Sequence, residues 1–446
     1  MRAAAGNAVL DADVTHRQDR RPGHSSIAGA ASRPLSVTYV TMAFPERSET
    51  FATNDVRALR ARGVEVDVQC LRTRHPDNDT MLEARGLSCL EVDHNGIGAT
   101  ARGILAAITR PRSALAALRW VLTQRGGRGP RNDVIAGLLL LPRAFDIIAV
   151  LERRRPDVVH MFWGHYPAIV GHLVQSRLPT VVTSISINAY DLEWEYPGTP
   201  PVARSADVVR THAHVNLERL VPFLGIPKER IEVIYNGIDI DRVDRLAGGI
   251  VKNPLSIVAI GRLAESKGMA EVVSAFERVR RTYPDATLDV VGDGPERRSL
   301  EDLARRIGVA DAIRFHGHVA HDDAVRLMWR SRVVMLLSRA TGERLPNVIK
   351  EGMACRCVCV TTPTPGIEEL VHDGTTGFVV QASDVESAAA IVNDVFAGRV
   401  DVAGMTERAS AHVRAHFDLA TTVSRYRDIW THAVTQRAGA SSRTHS

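Results

Sequence analysis

No apolar run in this sequence approaches the roughly twenty residues that cross a bilayer as a helix. The longest candidates, such as Val134 to Leu141, are the size of a core segment. The N-terminus, Met1 to about Arg33, mixes Arg, Asp, His, Gly and Ser with no apolar stretch of the signal-peptide kind, which predicts a disordered leader over 1–33 and a cytoplasmic protein. Cysteine is scarce and odd in number: Cys70, Cys89, Cys355, Cys357 and Cys359 argue against a disulfide framework. Cys355, Cys357 and Cys359 alternate, but no second Cys or His cluster stands at ligand spacing, so they read as small buried hydrophobes and no metal site is expected. Neither sign of charge dominates. The 56 basic and 51 acidic residues leave +5, and a pI near 9.1 fits contact with something anionic, of which nucleic acid is only one candidate.

What is present is alternation. At 446 residues, 45% of them hydrophobic, the chain is long enough for two domains that each bury a core. A strand over 36–41, a loop from Phe44 to Phe51, a helix to Arg62 and a strand over 65–71 open a β-α-β unit. The stretch from Gly96 to Arg155 is dense in Arg, Ala and Leu at helical spacing and predicts two or three amphipathic helices. They fit either core packing or a position on an anionic leaflet with Trp120 at the interface. Strands over 157–161, 180–184, 208–211 and 231–234 follow, then Asn236-Gly237-Ile238-Asp239 and a linker over 246–253. The second half restarts with strands over 256–260, 287–291, 313–316, 333–337, 358–361 and 378–380, separated by helices. The expected fold class is α/β, with two facing, doubly wound Rossmann-like domains over 34–245 and 254–417. A last helix over 418–436 crosses back to the first domain, and a disordered tail covers 437–446.

Two sets of residues carry chemistry. Arg262 and Lys267 follow a strand with Gly261 and Gly268 beside them, where a guanidinium can grip two phosphate oxygens and an ammonium adds a point charge. Glu343 and Glu351 flank Leu345, Pro346 and Asn347 at the start of a helix, with Pro346 in its first turn, where free N–H groups and the positive dipole end suit an anion. On spacing alone the two glutamates also fit a solvated strand-loop-helix unit.

Taken together, Gly261-Arg262-Leu263, Lys267-Gly268, Gly292-Asp293-Gly294-Pro295, Glu343 through Glu351-Gly352-Met353-Ala354 and Gly366-Ile367-Glu368-Glu369-Leu370 resemble the retaining GT-B glycosyltransferases of family 4. Phe44-Pro45, Ser48-Glu49-Thr50-Phe51 and Asn54 resemble the exopolysaccharide and colanic-acid-type branch. The resemblance implies that Arg262 and Lys267 bind the pyrophosphate of a nucleoside-diphosphate sugar and Glu351 its ribose. Glu343 would bind the transferred sugar, while Gly292, Asp293 and Gly294 approach the base and Leu345, Pro346 and Asn347 line the sugar or phosphate. It implies no cofactor or metal. The partners would be the nucleotide-sugar donor and a glycan or glycolipid acceptor, with no nucleic acid.

Two positions depart from the family. Asn188, in Asn188-Ala189-Tyr190-Asp191, stands where many members carry a histidine near the reaction centre, and it cannot titrate. His160, His165 and Asp191, with Ser48 and Glu49 of the first loop, are the candidates for the acceptor side, although each histidine also suits a satisfied or surface position. Arg356 stands where the family usually has Gly. A nucleotide-sugar 2-epimerase, a phosphorylase of the same architecture and a non-catalytic relative are the rivals, and no signature for the first two is present.

Overall fold

The computed structural model describes residues 33–46, 50–127, 133–339 and 342–443. Ser48 and Glu49 lie outside the described residues. The first sheet has seven parallel strands in the order β3-β2-β1-β4-β5-β6-β7. Its members are β1 (Ser36–Thr41), β2 (Glu65–Thr73), β3 (Val92–Asn95), β4 (Val158–Met161), β5 (Val182–Ser186), β6 (Val208–Thr211) and β7 (Ile231–Val233). The register is set at the centre, where Val37 pairs with Val66 on one side and Val158 on the other. Helices cover both faces, which is why β4 and β5 are buried along their whole length. The second sheet has six parallel strands in the order β10-β9-β8-β11-β12-β13: β8 (Asn253–Ile260), β9 (Thr287–Val291), β10 (Ile313–Gly317), β11 (Ser331–Leu336), β12 (Val358–Thr361) and β13 (Phe378–Val379). Two doubly wound α/β sheets are thus the architecture, as the alternation predicts.

The chain crosses between the sheets twice, and the two crossings bond to each other. Ile238 N donates to Phe417 O at 2.8 Å and Leu419 N to Ile238 O at 2.9 Å. A side chain at Gly237 would collide with Leu419, its Cβ falling 2.5 Å from the Leu419 Cα. Helix Leu419–Arg443 then packs on the first domain, with Trp430 fully buried and its Nε1 donating to Ser184 Oγ at 3.0 Å. It runs as far as Arg443, and Arg437 bonds to Asp207 at 2.7 Å. The disorder expected from 437 therefore gives way to helix over 437–443.

Helix Asp133–Arg154 corrects a second expectation. Its 22 residues are long and apolar enough to cross a membrane, with a mean hydropathy of 2.2 over its most apolar window, but half of that window is buried inside the protein. In its second half the buried Arg143 donates to Asp146 at 2.5 Å and to the Cys70 carbonyl at 2.9 Å, and this half packs in the core. Cys355, Cys357 and Cys359 are buried in the second domain, and burial raises all three thiols. Arg356 sits at φ 57°, in the left-handed region where glycine carries no Cβ penalty, which accounts for the Gly expected there.

Candidate active site

The loops that leave β8, β9 and β11 close on one another at the C-terminal edge of the second sheet, where open α/β sheets place their ligands. Two glycines make the approach possible. At Gly268 (φ +66°) a Cβ would fall 1.8 Å from the Leu337 carbonyl oxygen, and at Gly292 (φ +127°) 1.9 Å from that of Gly261. Leu263 N donates to Asp293 O at 3.0 Å, and Arg339 N to Ser266 O at 2.7 Å. The β8 loop is thereby held between its two neighbours.

This closure brings the two predicted residue sets together. Lys267 Nζ donates to Glu343 Oε1 at 2.5 Å, and Glu343 Oε2 is buried with no hydrogen-bond partner among the described residues. The cation and one carboxylate of the expected donor site thus satisfy each other, with one carboxylate oxygen left over in a partly buried place. Arg262 is exposed close by in sequence, and among the described residues no carboxylate pairs with it. Asp293 caps its own turn by accepting from Gly294 N at 2.8 Å.

Beyond Glu343 the backbone tightens. Leu345 is buried at φ 48°, a left-handed position that a branched side chain adopts only when its surroundings hold it there. Helix Asn347–Ala354 begins after it, with Pro346 as the N-cap rather than in the first turn, and among the described residues no side chain caps the first N–H groups. Ile349 N donates to Pro346 O at 3.1 Å, and the N–H groups of a helix start with no side-chain cap suit an anion. One turn on, Glu351 Oε1 accepts from His321 Nε2 at 2.9 Å, and this bond is the main cause that raises the His321 pKa. Lys350, the neighbour of Glu351, is fully buried. Its Nζ donates to Asn236 O at 2.8 Å and Asn347 Oδ1 at 3.1 Å and lies 5.1 Å over the Phe417 ring, tying the helix to the inter-domain crossing. Burial pulls the ammonium down to about 7.

The first domain faces this edge with the ends of β5 and β6. Glu369 of the second domain accepts from His214 N and Val215 N, both at 2.8 Å, and from Tyr235 Oη at 2.9 Å. Arg344, next to Glu343, reaches within 3.9 Å of Glu193. Asn188 follows β5, and its Oδ1 stands 2.8 Å from His212 Nδ1. With Asn188 as acceptor, Nδ1 carries the proton and Nε2 is left as an acceptor. Burial, then the charges of Arg210, Lys350 and Arg344, hold His212 well below the ordinary histidine range, so it is a neutral imidazole. Sequence reasoning missed His212; its position immediately after a strand end was the signal that could have found it.

Three acceptor-side candidates lie elsewhere than expected. His160 is inside the sheet, not at its edge. Nδ1 sits 2.9 Å from Ser184 Oγ and Nε2 3.3 Å from Ser186 Oγ, and the ring packs on Tyr39 at 4.8 Å and Trp430 at 5.3 Å. A strand residue with both nitrogens engaged in the core cannot touch an acceptor. His165 and Asp191 form one buried unit instead of two free contacts. Asp191 Oδ1 accepts from Gly164 N and lies 2.8 Å from His165 Nδ1, while Oδ2 accepts from Asn188 N at 2.9 Å. They shape the loop that carries Asn188. Among the described residues no three His, Cys, Asp or Glu side chains gather as metal ligands.

Comparison with known proteins agrees with this geometry. The Glycosyltransferase Family 4 model matches residues 48–242, and the Glycosyl transferases group 1 model matches residues 242–412. The chain is 26% identical over 378 residues to the colanic acid biosynthesis glycosyltransferase WcaL of Salmonella typhimurium, covering 80% of this chain and 89% of that one. It is 30% identical over 223 residues to the glycogen synthase of Mycobacterium tuberculosis, a match that spans 50% of this chain and only 53%, about half, of that relative. Among solved structures, Anabaena HepE in complex with UDP superposes with a TM-score of 0.65 at 18% identity, over 89% of this chain and 100% of that one.

Proposed function

We propose, from a chain that belongs to the GT-B glycosyltransferases of group 1 and family 4, that it moves a sugar from a nucleoside diphosphate onto a glycan or lipid-linked glycan, with retention at the anomeric carbon, in polysaccharide synthesis at the cytoplasmic side of a membrane. The observation that carries this reading is the Lys267–Glu343 pair held beside the uncapped N-terminus of helix Asn347–Ala354, with Glu351 one turn further in. When the donor enters, Lys267 turns from Glu343 to the pyrophosphate with Arg262, and Glu343 takes a sugar hydroxyl in exchange. Glu351 accepts from the ribose through the carboxylate capacity that His321 leaves. The bond from C1 to the diphosphate oxygen breaks while the acceptor oxygen bonds to C1 from the same face, and the acceptor proton passes to the leaving phosphate. The two cations and the helix dipole carry the developing charge, so no metal is required in this scheme.

A uridine donor is the first to test, since HepE binds UDP; the link to extracellular polysaccharide comes from WcaL. A thermal-shift screen against uridine, guanosine and adenosine diphosphates and their sugars should single out one base by a raised melting temperature. Lys267→Ala, Glu343→Ala and Glu351→Ala should each keep the fold and lose transfer by about a hundredfold or more. Full activity in the Lys267 variant would sink the phosphate assignment, and epimer formed without any acceptor would replace transfer by epimerisation.

A further inference from the structure

Of the eleven large hydrophobic side chains that stand exposed among the described residues, nine lie on three consecutive helices, Ile97–Ile108, Pro111–Thr123 and Asp133–Arg154. The amphipathicity of the first two is inverted. Helix Ile97–Ile108 buries Ala99, Gly103 and Ala106 and turns Leu105 and Ile108 outward, 62% and 69% exposed. A Cβ at Gly103 would fall 1.7 Å from the Pro142 carbonyl oxygen, so small residues let the helix lie directly on its neighbour. Helix Pro111–Thr123 likewise buries Ala117 and Val121 while Leu115 faces out, and Leu139 on the third helix is 73% exposed. A surface helix facing water alone would place these residues the other way round.

The charge on the same helices has one sign. From Ile97 to Asn132 the sequence holds seven arginines (102, 110, 112, 119, 125, 128 and 131) and no Asp or Glu. Arg102 and Arg110 belong to the fold, bonded to Asp146 and Glu152. Arg112, Arg119 and Arg125 are exposed, and among the described residues no carboxylate pairs with them. Arg112 and Arg119 lie three and four residues from Leu115, on the same face of the helix.

We propose that this face docks on a bilayer carrying anionic lipids, leucine and isoleucine entering the headgroup boundary and the three arginines meeting the lipid phosphates. A second copy of the chain is the poorer occupant, because a two-fold interface would set these arginines against their own copies with no acidic residue between them. Trp120 takes no part: it is half-buried and stacked on His172 at 4.6 Å. The face ends at the acceptor side of the cleft. A Cβ at Gly127 would touch Glu195 O and Pro197, both at 3.0 Å, next to the helix Ala189–Trp194 that presents Asn188 and Glu193. Docking therefore sets the cleft beside a lipid-linked acceptor, and this last step rests on the transferase reading.

The test is co-sedimentation of the full chain with phosphatidylcholine vesicles, with and without about 30% phosphatidylglycerol. Binding should require the anionic lipid and fall as salt rises, and each of Arg112→Gln, Arg119→Gln and Arg125→Gln should weaken it about fivefold. Leu105→Glu with Leu139→Glu should abolish it while the melting temperature holds, since both positions are exposed. Equal binding to neutral vesicles, or none to either, overturns the proposal. So does a concentration-dependent dimer that the same two substitutions dissolve. The UDP-induced thermal shift, read in parallel, separates the two readings: its loss with vesicle binding intact sinks the donor assignment alone, and the reverse sinks docking alone.

Discussion

Glu351 Oε1 accepts from His321 Nε2 at the edge of the second sheet, a contact that depends on the charge of the imidazole. The histidine pKa is raised above its ordinary 6.5, chiefly by the hydrogen bond to Glu351 and then by its charge, while burial opposes. The pair is thus fully formed below about pH 6.5 and is lost as the pH rises through the raised value. Half-exposed, it adds little to stability. Glu351→Gln should return the His321 pKa toward or below 6.5, read from the imidazole carbon-bound protons in an NMR titration; an unchanged midpoint would show that the bond does not govern it. At this scale the sequence was only partly legible. Glu343, Glu351, Arg262 and Lys267 were identifiable by motif, but their present partners were not. Lys267 and Glu343 stand 76 residues apart, and only the closing of two loops makes them neighbours. His160 read as a site candidate because it ends near a strand edge, yet whether a strand side chain faces cleft or core depends on what covers the sheet.

Among the elements, the loop from β8 to its helix shows how backbone sterics control chemistry. Gly268 is left-handed and in contact with the Leu337 carbonyl, so Gly268→Ala must push this loop off the β11 loop. The expected result is a loss of about 1–3 kcal/mol in stability together with loss of the donor-induced thermal shift, since Lys267 leaves Glu343. A variant with normal donor binding would show that the loops are free to separate. The glycine was visible in the sequence as part of a motif. The left-handed Leu345 was not, because nothing in a leucine's local preference calls for that conformation; tertiary packing imposes it. The same holds for Pro346, whose preference for the first helical turn was displaced by one residue.

At the scale of the whole molecule, the last helix completes the core of the first domain. Trp430 is fully buried among Tyr39, His160 and Tyr426, and its indole bonds to Ser184. Trp430→Ala should cost about 3–5 kcal/mol, read as a lowered urea midpoint. A midpoint within experimental scatter of the parent would mean that the helix rests on the domain without holding it. The sequence reading ended this helix at 436, because a polar, serine-rich end looks disordered until Arg437 has Asp207 to bond, and the helix runs to Arg443.

By itself the sequence determined the α/β alternation, the two sheets, the order of the glycine, cation and carboxylate motifs and the arginine-rich helices. All of these follow from local periodicity and from glycine and proline sterics, which act over a few residues. Only the tertiary structure decided which groups meet: Lys267 with Glu343, His321 with Glu351, His212 with Asn188, and Ile104, Leu105 and Ile108 with solvent rather than core. Burial and hydrogen-bond partnership depend on segments brought together from distant parts of the chain, and no local preference encodes them.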